Sequence, residues 1–253
     1  MKMYLAGLTF LPQVTLSIHG GGFDSELVSR VNMLESFYYI QPWQTALIPK
    51  LKSFLLDSGA FSFAYSGSRK QVNLSEYMVS YTDFINENDI NDFFEMDIDP
   101  MIGYEKVKEL RNQLERETNR KCIPVWHLNR GKKDWEETCE KYDRVAIGGL
   151  ATKQRKQLEP HIRSLTKIAD KYGARVHGLG YTNLENLKNT GFDSVDSTAW
   201  LHGNRGGFLY SWDGRTMHKR KSASNQRLKA RDSARHNFIQ WVEMSERMEE
   251  IGV

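Results

Sequence analysis

Phe54-Leu55-Leu56-Asp57-Ser58-Gly59-Ala60-Phe61 is an apolar run that ends on a carboxylate and turns at once through Ser and Gly into another aromatic. Short apolar runs without alternation are how parallel strands covered on both faces read. An acid at the end of such a run sits at the mouth of a hydrophobic core, where it costs stability unless it is paired, solvated or used. Similar endings recur: Phe94-Glu95-Met96-Asp97, Val145-Ala146-Ile147-Gly148-Gly149-Leu150, Val176-His177-Gly178-Leu179-Gly180 and Ser194-Val195-Asp196-Ser197-Thr198.

Working outward from these endings, periodicity and turn signals place eight strands, at about 3–8, 37–41, 54–60, 92–98, 122–128, 144–150, 175–180 and 194–198. Helical segments lie between them at 74–88, 103–118, 132–141, 156–172 and 183–190, the first opened by the capping-box-like Asn73-Leu74-Ser75-Glu76. Eight strands alternating with helices predict an α/β fold, a (β/α)8 TIM barrel formed as one domain over residues 1–253. A basic helical extension, 215–253, is expected to pack on the barrel, its long helix from about Gln226 using Phe238, Trp241, Val242 and Met248.

Composition narrows the function classes. With 253 residues and 40% apolar content the chain buries a full core. It has no signal-length apolar run at Met1-Lys2-Met3-Tyr4-Leu5-Ala6, and no stretch near the roughly 18 apolar residues of a membrane span. A cytoplasmic protein without membrane contact is expected. Two cysteines, Cys122 and Cys139, exclude a disulfide framework and a zinc site of several thiolates. The net charge of +3 is modest but uneven: eight Lys or Arg residues lie between Arg215 and Arg235, against the single acid Asp232.

In a barrel, residues at the carboxyl ends of the strands build the active site. The candidates are then Asp57, Asp97, His127, Asn129, the Gly148-Gly149-Leu150 turn, His177 to Gly180, and Asp196. One carboxylate can attack an anomeric carbon while a second moves the proton, and Asp57 and Asp196 could supply that pair. The glycines would let a planar ligand approach the backbone, and Phe61 and His177 could sandwich it. Taken singly, each acid also reads as a cap or turn former, and each histidine as a hydrogen-bonded structural residue. A metal held by Asp57, Asp97, His127 and Asp196 is conceivable, but no spaced ligand motif supports one, and the expectation is no metal and no cofactor.

Four of these segments, in order across about residues 50 to 200, resemble the tRNA-guanine transglycosylases. Asp57-Ser58-Gly59-Ala60-Phe61 is similar to that family's Asp-Ser-Gly-Gly-Phe motif, and Gly148-Gly149-Leu150-Ala151 to its Gly-Gly-Leu-Ala turn. His177-Gly178-Leu179-Gly180 resembles the segment before its seventh helix, and Gly191 to Ser197 the stretch carrying its nucleophile. The family exchanges guanine in a nucleic acid for a free 7-deazaguanine base on a (β/α)8 barrel. The resemblance implies that Asp196 attacks C1′ and Asp57 is the general acid/base; Asp193, three residues earlier on the same segment, is the alternative nucleophile, and strand alternation lets only one of the two point into the barrel mouth. It implies that Asp97 binds the amino and ring N–H edge of the base, and that the backbone at Gly149 and Leu150 meets its other edge. Phe61 would stack on one face with His177 near the other, and Ser58, Gly148 and Gly178 would complete the base pocket.

Two departures bear on the substrate. His127 stands where the family has a Gln that reads the base carbonyl, and no cysteine follows Cys139 to form the family's zinc subdomain. The zinc-free form resembles the phage-type DNA-guanine transglycosylases, which put 7-deazaguanines into viral DNA and shield it from host nucleases. DNA is therefore the expected partner, with contacts from Arg215, Lys219, Arg220, Lys221, Arg227, Lys229 and Arg231, and tRNA is the alternative. A non-catalytic nucleic-acid-binding barrel and a metal-dependent hydrolase are the rival readings. A homodimer, as relatives form, is left open by the resemblance.

Overall fold

The structure is a computed structural model and describes residues 1–8, 23–60, 62, 73–203, 207–221 and 230–252, the side chains of 230 and 231 excepted. Its elements in chain order are β1 (Lys2–Ala6), α1 (Ser25–Arg30), β2 (Asn32–Ser36), β3 (Ser53–Asp57), α2 (Leu74–Glu87), α3 (Tyr104–Thr118), β4 (Val125–Trp126) and α4 (Gly131–Lys141). Then come β5 (Arg144–Ile147), α5 (Ile162–Lys171), β6 (Arg175–Gly178), β7 (Ser194–Ser197), β8 (Phe208–Trp212), β9 (Met217–Lys221) and α6 (Ala230–Glu250). No described helix is long and apolar enough to cross a membrane.

Seven strands form one parallel sheet in the order β3-β2-β1-β7-β6-β5-β4. The sheet curls into a partial α/β barrel, so the expected closed (β/α)8 barrel is corrected. Where an eighth strand was expected at 92–98, Phe93 and Phe94 make only single bridges, to Leu56 and Ile123. The physical reason lies at Glu95. The N–H of Val125, next in line to pair with this segment, donates to the Glu95 carboxylate at 2.7 Å instead of to a backbone carbonyl, so the ladder stops after one exchange.

The second strand is also corrected. The aromatic run at 37–41 has the stronger β composition, yet the strand is Asn32–Ser36, in register with both β1 and β3. Phe37 turns off the sheet and packs its ring against Tyr77, Tyr81 and Phe84 of α2. Tertiary packing here overrides local propensity. Pro160 breaks the helix expected at 156–172 into a short turn at Arg155–Leu158, a 3-10 turn at Glu159–His161, and α5. The helix expected at 183–190 contains only a 3-10 turn at Leu187–Asn189.

Helices cover the sheet through ordinary amphipathic spacing. Helix α5 buries Ile162, Leu165, Thr166 and Ala169, and α2 starts at Asn73, whose side chain accepts from the Ser75 N–H at 3.1 Å and donates to Glu76. Helix α6 buries Phe238, Trp241, Val242 and Met248, as its sequence predicts. It lies against β1, where the Ser245 hydroxyl donates to the Met3 carbonyl at 3.0 Å.

The basic extension is not one helix. Residues 208–221 form an antiparallel hairpin, β8 with β9, so Lys219, Arg220 and Lys221 lie on a strand and Arg215 in its turn. Arg227, Lys229 and the side chain of Arg231 lie outside the described residues, as does Phe61.

Candidate active site

A cavity of about 690 Å3 opens at the carboxyl ends of the sheet strands. Parallel strands that all point one way deliver the first residue beyond each strand to the same rim, which is why separate strand endings converge. Asp57, Asp97, His127, Gly149, Gly180 and Asp196 all line it.

Asp57 ends β3. Its carboxyl is raised to about 6, chiefly by burial and with help from the negative charges of Asp196 and Asp97, against the N–H of Gly59, which donates to Oδ2 at 3.2 Å. Such a group changes protonation near neutral pH.

Asp196 on β7 is held differently. Its Oδ1 accepts from the Gly180 N–H at 2.6 Å and lies 3.1 Å from His177 Nε2. Gly180 has a φ of +72°, and an added Cβ would meet Ala151 Cβ at 2.7 Å, so the donor geometry requires glycine. Asp193 is at the other end of β7, where its Oδ2 accepts from the Val176 N–H at 2.7 Å. Of the two aspartates, only Asp196 lines the cavity.

His177 is buried beneath the cavity and is not among its lining residues. Its ring contacts Tyr4 and Phe94, with Nδ1 2.9 Å from Ser194 Oγ, so the expected sandwich with a bound ligand is replaced by support of Asp196 from below. Ser58, Gly148, Leu150 and Gly178 also stand behind the lining. The Ser58 carbonyl accepts from Tyr77, Leu150 is in the core, and Gly178 lies against the Phe192 ring. At Gly148 an added Cβ would collide with His127 Cε1, and its absence lets the imidazole lie against the turn.

His127 Nε2 lies 2.7 Å from Asp97 Oδ1. Burial lowers the affinity of His127 for its second proton, but the hydrogen bond and charge of Asp97 outweigh this and leave its pKa raised. Asp97, Asp99 and His127 bring ligand-type atoms within 4.8 Å of one another, whereas Asp57 and Asp196 do not join that group. A cation already sits there: Arg130, its side chain 3% exposed, approaches Asp99 at 2.9 Å and Asp97 at 3.8 Å, and stacks over Tyr104. A metal would have to displace or oppose that guanidinium.

Glu35 was missed in the sequence. It is 2% exposed and lines the cavity from β2. Met33-Leu34-Glu35-Ser36 carries the same signal as the Asp57 segment, an apolar run ending on an acid, but placing the strand at 37–41 hid it. Arg130 had no legible signal, because its role depends on three acids from the 95–99 segment meeting it in space.

The fold and cavity define a mixed α/β protein with a curled parallel sheet and a carboxylate-rich pocket at the strand carboxyl ends. Neither a scan against protein-family models nor a search of the curated proteins returns a match for this chain.

Proposed function

We propose that the chain is a base-exchange transglycosylase that replaces guanine in DNA with a 7-deazaguanine. The observation that carries this reading is the pairing of Asp57 and Asp196 on one cavity in contrasting environments, the first with its carboxyl raised to about 6, the second held at Oδ1 by two donors. Two carboxyl groups with divergent environments are the usual basis for dividing nucleophile from acid/base.

In this reading a carboxylate oxygen of Asp196 bonds to C1′ as the bond from C1′ to guanine breaks, and protonated Asp57 gives its proton to the leaving base. The incoming deazaguanine returns a ring-nitrogen proton to Asp57 and bonds to C1′, and Asp196 leaves. Asp97, braced by His127, presents an acceptor to the N–H edge of the base. A duplex substrate must first extrude the target nucleotide, at a cost of a few kcal/mol. The sequence resemblance and the concentration of Lys and Arg after residue 215 support a nucleic acid as the substrate.

The test is incubation with labelled guanine or deazaguanine, separately with DNA and with tRNA. Label in DNA, together with a denaturant-resistant protein–DNA adduct formed without free base and lost in Asp196→Ala, is the expected result. Label entering only tRNA moves the substrate assignment to tRNA, and exchange at the wild-type rate by Asp196→Ala removes the nucleophile assignment.

A further inference from the structure

We propose that the β8–β9 hairpin is a docking ribbon that seats in the major groove of duplex DNA beside the cavity. The inference rests on the DNA reading above and specifies how the duplex is held.

Among the described residues the hairpin has one covered edge and one open edge. Side chains of α6 take the place of a neighbouring strand along β8. Asn237 Oδ1 accepts from the Tyr210 N–H at 2.7 Å, Gln240 Oε1 accepts from the Trp212 N–H at 2.7 Å, and His236 Nε2 lies 2.8 Å from the Tyr210 carbonyl. Because residues 208, 210 and 212 turn their backbone groups toward α6, residues 209 and 211 face β9, opposite Arg220 and His218. The backbone N–H groups of Met217, Lys219 and Lys221 then point to the open edge, where they have no partner among the described residues.

That edge is charged as well as open. His218, Lys219, Arg220 and Lys221 are all exposed. Lys219 is held over the rings of Phe208 and Tyr210, at 5.5 and 5.9 Å, which orders its charge instead of leaving it free to swing. The one acid of the hairpin, Asp213, is engaged in the turn by His218 and by the N–H groups of Arg215 and Thr216. A row of backbone donors flanked by cations on an exposed strand fits phosphate oxygens.

Position links the ribbon to the chemistry. The Tyr210 hydroxyl donates to the Ala199 carbonyl at 2.9 Å, and Ala199 follows Thr198, which lines the cavity on the segment leaving Asp196. A two-stranded ribbon fits a major groove about 12 Å wide, and five residues per strand span roughly 17 Å. Seated there, the ribbon would hold the duplex while the extruded nucleotide reaches Asp196.

The test compares Lys219→Gln/Arg220→Gln/Lys221→Gln with its parent, both as full chains carrying Asp196→Asn so that no turnover intervenes. Fluorescence anisotropy follows binding to a duplex, a single strand and a tRNA across a salt series. The expected result is a loss of about 10- to 1,000-fold in duplex affinity near 0.1 M salt, and a salt slope smaller by about 3. Arg220→Gln alone should lower the slope by about 1 and decides the matter if the triple variant is misfolded. Duplex affinity and slope unchanged in the variants would overturn the proposal, as would a loss confined to single strand or tRNA. Ribbon-dependent duplex binding by a protein that shows no base exchange would retain the ribbon and reject the enzymatic reading.

Discussion

His177 Nε2 stands 3.1 Å from Asp196 Oδ1 while its Nδ1 stands 2.9 Å from Ser194 Oγ, so a buried imidazole links two side chains of β7 from the adjacent strand β6. With Asp196 ionised, Nε2 is the donor, and Nδ1 accepts from the serine hydroxyl. Together with the Gly180 N–H this fixes one oxygen of the carboxylate.

Replacing that support should slow chemistry without weakening DNA binding. His177→Phe keeps an aromatic ring beside Tyr4 and Phe94 but loses both hydrogen bonds. Single-turnover adduct formation is expected to fall by about 100-fold, the scale of a misplaced reacting group, with DNA affinity within about twofold of wild type. An unchanged adduct rate would mean that Gly180 alone orients Asp196.

Asp57 should cost the protein stability at neutral pH. Its native carboxyl, raised to about 6, keeps its proton over a range in which the unfolded chain, near 3.9, has already ionised. The unfolded state binds fewer protons there, so stability falls as pH rises from about 4 to about 6 and stays lower above. Asp57→Asn is expected to raise the unfolding free energy at pH 7 by about 3 kcal/mol, with little gain below pH 4, while abolishing exchange. Urea unfolding at the two pH values checks both parts.

The two half-reactions should respond to pH in opposite directions. Guanine release needs Asp57 protonated and is expected to slow above about pH 6, whereas capture of the incoming base needs it ionised and should slow below that value. Rapid-quench measurement of adduct formation and of adduct consumption separates them. Parallel profiles would remove Asp57 from the proton transfer.

The turn at Gly148 should act on the base pocket through His127. In Gly148→Ala the new Cβ collides with the imidazole and pushes it off Asp97. One charge-assisted hydrogen bond is worth about 1.5–3 kcal/mol, so KM for the free base should rise roughly 10- to 100-fold. Steady-state kinetics with varied base reads the change.

The ion pair behind the cavity is structural. Glu95 and Arg111, with side chains 0% and 7% exposed, meet at 2.6 Å, and Glu95 also accepts from the Val125 N–H. Arg111→Met leaves a buried carboxylate without its main partner and should destabilise the fold by about 3–5 kcal/mol by chemical denaturation. Adding Glu95→Gln should recover part of that loss.

Much of the site was legible, since Asp57, Asp97, Gly149 and Asp196 each follow an apolar run and strand direction alone sends such residues to one rim. Glu35 was hidden by the more β-like Phe37-Tyr38-Tyr39-Ile40, which leaves the sheet as the Phe37 ring packs on α2. The hairpin did leave a signal, Asp213-Gly214 between two short runs, which falls just ahead of the helical extension expected at 215–253.

By itself the sequence determined the alternation of buried strands with helices and the acids at the strand ends, because both follow from local hydrophobic pattern. Only the tertiary structure decided that Asp196 faces the cavity while Asp193 caps a backbone amide at the far end of β7. It also decided that His177 braces the carboxylate instead of stacking on a ligand, and that the sheet stops at seven strands. Those outcomes depend on register between distant strands and on which backbone groups side chains capture, and neither is written in any one segment.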